Sequence, residues 1–550
     1  MTSTATFKSS NLSYDYIIVG GGTAGCVLAN RLSACGRYQV LLLEAGGSGR
    51  SFFSTMPGGV IRFMHSRKFN WLLRSSDPGP LRAGQGFYTP RGKGLGGSSM
   101  INAMIYTRGL PSDYDHWASV SSDAWAWRNV LPRFKQLENN QRGASEYHGT
   151  AGPLHVSDVP TYFPVARQFV AAAVAAGIPY NPDFNGPQLE GVGPYQFTIK
   201  DHQRWSARKA FLEPALTRPN LTVLTGCQAE RVLFDQTLIP ARATGVQFKR
   251  RRRSQVATAR REVILACGAI HSPQLLMLSG VGPAEHLAEF NIPVVANRAE
   301  VGQNLQEHVD VMVHCHNRLK DGISITPRGL AQMTKGFIQY LWKREGPLTV
   351  SPSETGGFIK SDPSVAEPDL QLHFVSCRFN DSGWDLRPAF HHGFACHVCI
   401  LRPQARGELT LASANPMVPP RFNYNFLDNE ADRETLLRGV KIVRTIMAQA
   451  PLSQHHGGEA WPGPTTSDAE LWQLIEQQVG LIYHPTSTCR MGNDANAVVD
   501  AELRVNGVSQ LRVIDASIMP TILSGNTNAP TMVIADIGAD FILADANGSD

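Results

Sequence analysis

Apolar residues follow two periods along this chain. Near the front, Asp15–Val19 in "YDYIIVGGG" is an apolar run that ends in glycines. An unbroken run of that length predicts a strand buried on both faces, as in a parallel sheet. Ala24–Leu32 then carries apolar residues at helical spacing, and "YQVLLLE" is a second buried strand with Glu44 at its end. Further on the period shortens. "DLQLHFV" (Asp369–Val375) and "ACHVCILRP" (Ala395–Pro403) alternate as antiparallel strands do. "RETLLRGVKIVRTIMAQA" between Arg433 and Ala450 returns to the helical period. Close to the end, Met532, Val533, Ile534, Ile537, Phe541 and Ile542 follow Pro530, which predicts a helix with proline in its first turn. No internal repeat is evident. The longest apolar helical stretch, "FVAAAVAAG" (Phe169–Gly177), is too short to span a bilayer.

At 550 residues the chain exceeds one ordinary core, so two domains or one large enzyme with insertions are expected. A hydrophobic share of 42% with 18% charged residues is globular, and 50 glycines with 35 prolines imply many turns. The net charge of +5 is mild and does not call for an anionic polymer. One basic run, Lys249–Arg253 with Arg260 and Arg261 behind it, lies between the strand-like "ATGVQF" and "REVILACG". It lacks interleaved aromatics and reads as a solvated hairpin loop, so no nucleic-acid partner is expected. A nucleic-acid binder acting through that run is kept as the reading it would have to displace.

Nine scattered cysteines argue against a disulfide framework and for small buried hydrophobes in a reducing compartment. "CHVC" (Cys396–Cys399) falls in an alternating strand with no second such pair, so no metal site is expected. The opening "MTSTATFKSSNLS" is polar and lacks a signal-peptide pattern. The expectation is a soluble cytoplasmic protein with no transmembrane segment, in which the sequons at Asn11, Asn220 and Asn547 carry no meaning.

The first strand, helix and second strand enclose G-x-G-x-x-G at Gly20, Gly22 and Gly25. Gly20 permits the tight turn, Gly22 lets a pyrophosphate approach the backbone, and Gly25 lets helix and strand touch. The helix start, including Thr23 and Ala24, offers free N–H groups to phosphate oxygens. Glu44, 24 residues after Gly20, is placed to accept hydrogen bonds from a ribose diol, with Ala45 beside it. The motif alone does not separate NAD from FAD.

"TPRGKGLGGSSMINAMIYTRG" (Thr89–Gly109), "GAIHSPQLLMLSGVGP" (Gly268–Pro283), "YHPTSTCRMG" (Tyr483–Gly492) and "VIDASIMPTILSGNTNAPTMVIADIGADFI" (Val513–Ile542) stand in that order. With the glycine motif they resemble the glucose–methanol–choline (GMC) family of FAD-dependent oxidoreductases over about Tyr14 to Ala544. Within it, "YNPDFNG", "DLQLHF" and "ILRPQARG" look most like bacterial alcohol dehydrogenases of the sorbose, polyethylene glycol and choline dehydrogenase type.

The resemblance implies an α/β chain, α+β overall. A Rossmann-like FAD-binding domain would comprise about 1–160, 210–315 and 470–550. A discontinuous substrate domain, about 161–209 and 316–469, would be built on an antiparallel sheet with helices. It implies FAD in an extended pose. Trp71, Arg91, Gly92, Gly96, Gly97, Ser98, Asn102 and Met104 would contact it from the glycine-rich loop and its approach. Val232 would do so from the central strands, and Asp515, Ala516, Asn528, Pro530 and Thr531 from the end of the chain. Where some members attach the flavin through a histidine, this chain has Ile101, so the FAD is expected to be non-covalent.

The implied reaction oxidises an alcohol to an aldehyde or ketone. A base must take the hydroxyl proton while hydride passes to flavin N5. Histidine is neutral near pH 7 by its reference pKa of about 6.5. The resemblance gives the base to His484 and the second active-site position to Asn528, whose amide would hold the alcohol oxygen. Ser487 stands where many members have glycine, and little disturbance is expected from so small a residue. The partners implied are a small-molecule alcohol and an electron acceptor, whether a quinone, a dye-like carrier or oxygen. Two other readings stay open: an alcohol oxidase making hydrogen peroxide, and a non-redox lyase of the hydroxynitrile type.

Overall fold

Two sheets organise the chain, and the cavity described below lies between them. The structure is a computed structural model that describes residues 12–76, 79–160, 163–351, 353–380, 383–465 and 467–548. The polar opening of the chain, with Asn11, lies outside the described residues.

The first sheet takes its central strands from the front of the chain. Strand β1 (Leu12–Val19) leads into helix α1 (Thr23–Ser33) and returns as β2 (Val40–Glu44). The last four residues of β1 and all of β2 are buried, as their unbroken apolar runs require. Strand β3 (Leu221–Thr225) extends the parallel set beyond β2. Strands β4 (Cys227–Asp235), β5 (Ala241–Arg250) and β6 (Arg253–Leu265) form an antiparallel meander, and β6 lies parallel to β1. The sheet order is β3-β2-β1-β6-β5-β4, with the short strand Leu511–Val513 parallel to the end of β6. Arg251 and Arg252, in the middle of the basic run, form the exposed β5–β6 turn at φ 48° and 67°.

After β6 comes helix α2 (Gly268–Leu278). The second sheet is antiparallel. Its strands β7 (Val309–Asn317), β8 (Thr355–Ile359), β9 (Leu370–Val375), β10 (Gly393–Ile400) and β11 (His456–Trp461) lie in the order β11-β7-β10-β9-β8, ending on Gly191–Pro194. The two alternating segments read from the sequence are the neighbours β9 and β10, paired with Leu372 opposite Val398 and His373 opposite His397. Strand β7 runs across the boundary expected near 315, and Gly480–Leu481 also pairs with it.

Helix α3 (Pro327–Lys343) lies between β7 and β8 in the chain. Helix α4 (Glu430–Met447) starts three residues before the periodic segment because Asn429 caps it, its side chain accepting from the Asp432 N–H at 2.9 Å. The last helix, α5 (Asn528–Gly548), docks on α1, where Arg31 pairs with Asp536 and Asp540. One apolar cluster runs through both sheets, from Val19 and Leu265 to Val313 and Leu372. Among the described residues no helix is long and apolar enough to cross a membrane.

Candidate active site

A cavity of about 560 Å³ reaches from the ends of β1 and β2 to the face of the antiparallel sheet. Its near end is built from glycines. A Cβ on Gly25 would sit 1.8 Å from the Gly20 carbonyl oxygen, and one on Gly97 2.7 Å from Gly22 Cα. These close approaches hold β1, α1 and the Gly92–Asn102 loop together. Gly22 is different. A Cβ there would meet only Ala266 O at 3.9 Å and Gly97 Cα at 4.0 Å, so its open side faces the cavity.

Glu44 ends β2 with its carboxylate fixed by the N–H groups of Gly21 (2.9 Å) and Gly46 (2.6 Å). Burial raises its pKa, and those N–H groups oppose the rise. The carboxylate retains lone-pair capacity for a hydroxyl. The N-terminus of α1 at Thr23 meets that of α5 at Asn528, the Thr23 hydroxyl donating to Asn528 Oδ1 at 3.0 Å. Two helix starts, a bare glycine backbone and a fixed carboxylate suit the phosphates and ribose of a dinucleotide.

Most residues expected at the cofactor line this cavity: Gly20, Gly22, Thr23, Ala24, Glu44, Ala45, Trp71, Arg91 and Gly92 from the first part of the chain. Gly97, Ser98, Asn102, Met104, Asp515, Ala516, Asn528 and Thr531 line it too. Gly25, Gly96 and Pro530 are not among the lining residues. Gly25 closes the strand–helix contact, Gly96 (φ 98°) donates to the Gly21 carbonyl at 2.7 Å, and Pro530 lies in the first turn of α5. Val232 is a correction. It lies in the core, its N–H donating to Ser279 Oγ at 2.8 Å, and β4 meets the cavity through Cys227, Gln228 and Ala229 instead. Asp515 binds the start of α2 through the Gly268 N–H (2.8 Å) and the Ser272 hydroxyl (2.6 Å) while bordering the cavity.

His484 lies at the middle of the cavity, 8% exposed. The backbone around it is strained: Tyr483 has φ 74° and Ser487 has φ 77°. The left-handed conformation at Ser487 is one that glycine would adopt without strain. The His484 N–H donates to Glu307 Oε1 at 2.7 Å, and Arg91 donates to the Tyr483 carbonyl. Glu307 also accepts the His308 N–H at 2.9 Å. Burial pushes its carboxyl up to about 8, with Arg91 opposing.

The ring nitrogens of His484 form a chain with fixed polarity. His308 Nε2 lies 3.0 Å from the Leu523 carbonyl oxygen, which only accepts, so this nitrogen carries hydrogen. Burial holds His308 at about 4, hence neutral, and its Nδ1 is therefore an acceptor. That Nδ1 lies 3.0 Å from His484 Nδ1, which must donate. The bare lone pair of His484 is left on Nε2. There it receives Asn526 Nδ2 at 3.1 Å. Burial, then the neighbouring His308, His373 and Arg91, hold the His484 pKa well below 6.5.

The amide beside His484 thus belongs to Asn526, not to Asn528 as expected. The two stand two residues apart in "GNTNAP". The tight turn there sends Asn526 toward His484 and Asn528 toward Thr23. Glu307 and His308 were also missed. Their signal was present in "NLQEHVD", an acid–histidine pair directly before the apolar-rich strand that starts at Val309.

The far end of the cavity is mainly apolar, with Ile325, Met333, Val375, Phe379 and Leu386. Its polar members include His373, His397, Arg378, Ser324, Ser351 and Ser353, and His397 Nδ1 is held by Asp310 at 2.7 Å. Among the described lining residues the only carboxylates are Glu44 and Asp515, both at the cofactor end. Cys396 and Cys399 are buried in β10, and no described group of three or more His, Cys, Asp or Glu residues could hold a metal ion.

Comparison with known proteins agrees with the resemblance carried by the motifs. Family models described as GMC oxidoreductase match residues 14–310 and 403–535. An alcohol dehydrogenase [acceptor] of Pseudomonas putida is 45% identical over 538 residues, covering 96% of each chain. The mitochondrial choline dehydrogenase of Mus musculus is 41% identical over 539 residues, covering 96% of this chain and 89% of its own. Among solved structures, pyridoxine 4-oxidase from Mesorbium loti superposes with a TM-score of 0.86 at 30% identity, covering 96% of this chain and 98% of its own.

Proposed function

The chain belongs to the GMC oxidoreductase family, and from that premise we propose that His484 takes the hydroxyl proton of an alcohol on Nε2 while Asn526 orients the alcohol oxygen. The protein is an FAD-dependent enzyme that oxidises an alcohol to a carbonyl. Bound FAD would supply the hydride acceptor for the carbinol carbon. Gly22 and the start of α1 would hold its pyrophosphate, Glu44 its ribose, and the Gly92–Asn102 loop with Asn528 and Thr531 the remainder. Ile101, buried against the cavity, offers no group for covalent attachment, which supports non-covalent binding.

The observation that carries the assignment is the polarised chain from the Leu523 carbonyl through His308 to His484. It delivers a neutral imidazole whose bare nitrogen faces the cavity, with a side-chain donor beside it. The alcohol hydroxyl would enter between Asn526 and His484, accepting from the amide and donating to Nε2. His308 then accepts from Nδ1 throughout, which stabilises the charge that His484 gains.

The apolar far end, with Arg378 and no carboxylate, supports an alcohol with an uncharged apolar tail over a quaternary ammonium alcohol. The acceptor reading is a quinone or dye-like carrier, supported by the 45%-identical dehydrogenase. The nine cysteines are all free, which supports a reducing, cytoplasmic setting. The test is an anaerobic screen of alcohols for loss of flavin absorbance, followed by reoxidation with dye, quinone or oxygen. Bleaching by apolar alcohols with dye-coupled turnover is the expected result. Hydrogen peroxide formation at the full turnover rate would instead identify an oxidase. No bleaching by any alcohol would overturn the reading.

A further inference from the structure

Helix α3 wears its apolar side chains on the wrong side for a helix that serves only to fill a core. The residues it buries are Gly329, Gly336 and Tyr340. Those it turns to solvent include Leu330 (50% exposed), Ile338 (50%), Leu341 (48%) and Trp342 (85%). Their spacing places all four on one face. The helix contains Arg328, Lys335 and Lys343 and no acidic residue.

Two neighbouring segments continue the patch. Phe52 (40%) packs edge-on against Phe337 and Tyr340 of α3, and Ile61 (49%) follows nearby in the chain. Trp384 (47%), Leu386 (43%) and Phe390 (58%) extend it, Trp384 packing on His65 with ring centroids 4.3 Å apart and the Ile325 N–H before α3 donating to the Ala389 carbonyl at 2.7 Å. The stretch from Arg50 to Arg74 holds five further cations, Arg50, Arg62, Arg67, Lys68 and Arg74, and no Asp or Glu. Among the described residues Arg62, Arg328, Lys335 and Lys343 form no salt bridge. Ile61 and Leu386 are at once exposed and part of the cavity lining, so the cavity opens inside this patch.

We propose that this face docks on an anionic phospholipid surface, with α3 lying in the interface and the cavity mouth turned to the membrane. An exposed apolar stripe edged by unpaired cations is complementary to acyl chains beneath acidic headgroups. The position of the mouth gives the arrangement a use: apolar alcohols or acceptors concentrated in the bilayer reach the cavity without crossing bulk water. A second copy of the chain would cover the stripe equally well, but like-charged rims would then face each other, and the charge favours the lipid.

The test floats the FAD-loaded enzyme with vesicles of phosphatidylcholine alone or mixed with phosphatidylglycerol. Binding is expected with the mixed vesicles, weaker binding with phosphatidylcholine, and release at high salt. Leu341→Glu combined with Trp342→Ser should abolish flotation. Arg328→Gln with Lys335→Gln should weaken it about fivefold per cation removed. Both variants should keep their FAD and their bleaching by a water-soluble alcohol, which separates this proposal from the catalytic reading. Failure of the wild type to float with mixed vesicles would overturn it, as would unchanged flotation of the Leu341→Glu/Trp342→Ser variant. Concentration-dependent dimerisation without lipid, lost in that variant, would also overturn it by making the face a contact between copies.

Discussion

The value of His484 depends on which of its nitrogens is bare, and that is decided one residue away, at His308. Without His308, Nδ1 of His484 loses its acceptor and the ring is free to take the other tautomer. His308→Ala is therefore expected to lower the rate of flavin reduction by at least about 10-fold, part of the ~10²–10⁴ that a positioned acid–base group contributes. Retention of FAD and of the unfolding temperature would separate this from general damage, and a wild-type rate would contradict it. Asn526 and Asn528 should differ in kind. Asn526→Ala is expected to slow reduction at full FAD occupancy, whereas Asn528→Ala should lose FAD on dialysis because it opens the Thr23 contact. The reverse pattern would return the active-site role to Asn528. The place of His484 in the cavity lining was anticipated in sequence because proline and small hydroxyl residues set it apart in "YHPTSTCRMG". The choice between Asn526 and Asn528 was not, because both are in one tight turn and only its fold decides which points where.

At the scale of elements, the strand–helix–strand unit was readable because each glycine there answers a local steric demand. Gly25 and Gly22 make opposite predictions. Gly25→Ala places a methyl 1.8 Å from the Gly20 oxygen and is expected to yield little folded protein. Gly22→Val has room in the protein and a φ of −75° that valine accepts, so it should fold but purify colourless. A yellow, fully loaded Gly22→Val protein would show that the cofactor is held elsewhere. Strands β9 and β10 were legible from their alternation. The crossing of β7 over the expected domain boundary was not, because "VDVMVHCHN" pairs with β10 and β11, which come far later in the chain. Val232 failed for a related reason: the register shift between Ala229 and Arg231 turns it into the core.

Across the whole molecule, buried neutral histidines set the response to pH. Burial holds His271 and His308 at about 4, His314 and His373 at about 3, and His484 well below 6.5. As pH falls below 6.5 the unfolded chain binds protons at these five sites and the folded chain does not, so stability drops toward acid. Glu307 and Glu354, raised to about 8 by burial, act in the opposite sense. They keep their protons in the fold from 8 down to 4.5, so stability also falls as pH rises toward 8. The melting temperature should therefore peak near pH 6.5, and a steady rise on acidification from 6.5 to 5 would contradict this. The same histidine chain gives the most direct test of the account, anaerobic stopped-flow flavin reduction against pH for the wild type and His484→Ala. The wild type should stay fast well below pH 6.5 and then fall as His484 protonates. The variant, still loaded with FAD, should be slower by about 10²–10⁴ and should lack that acid limb. A His484→Ala enzyme that reduces its flavin at the wild-type rate would contradict the assignment of the base.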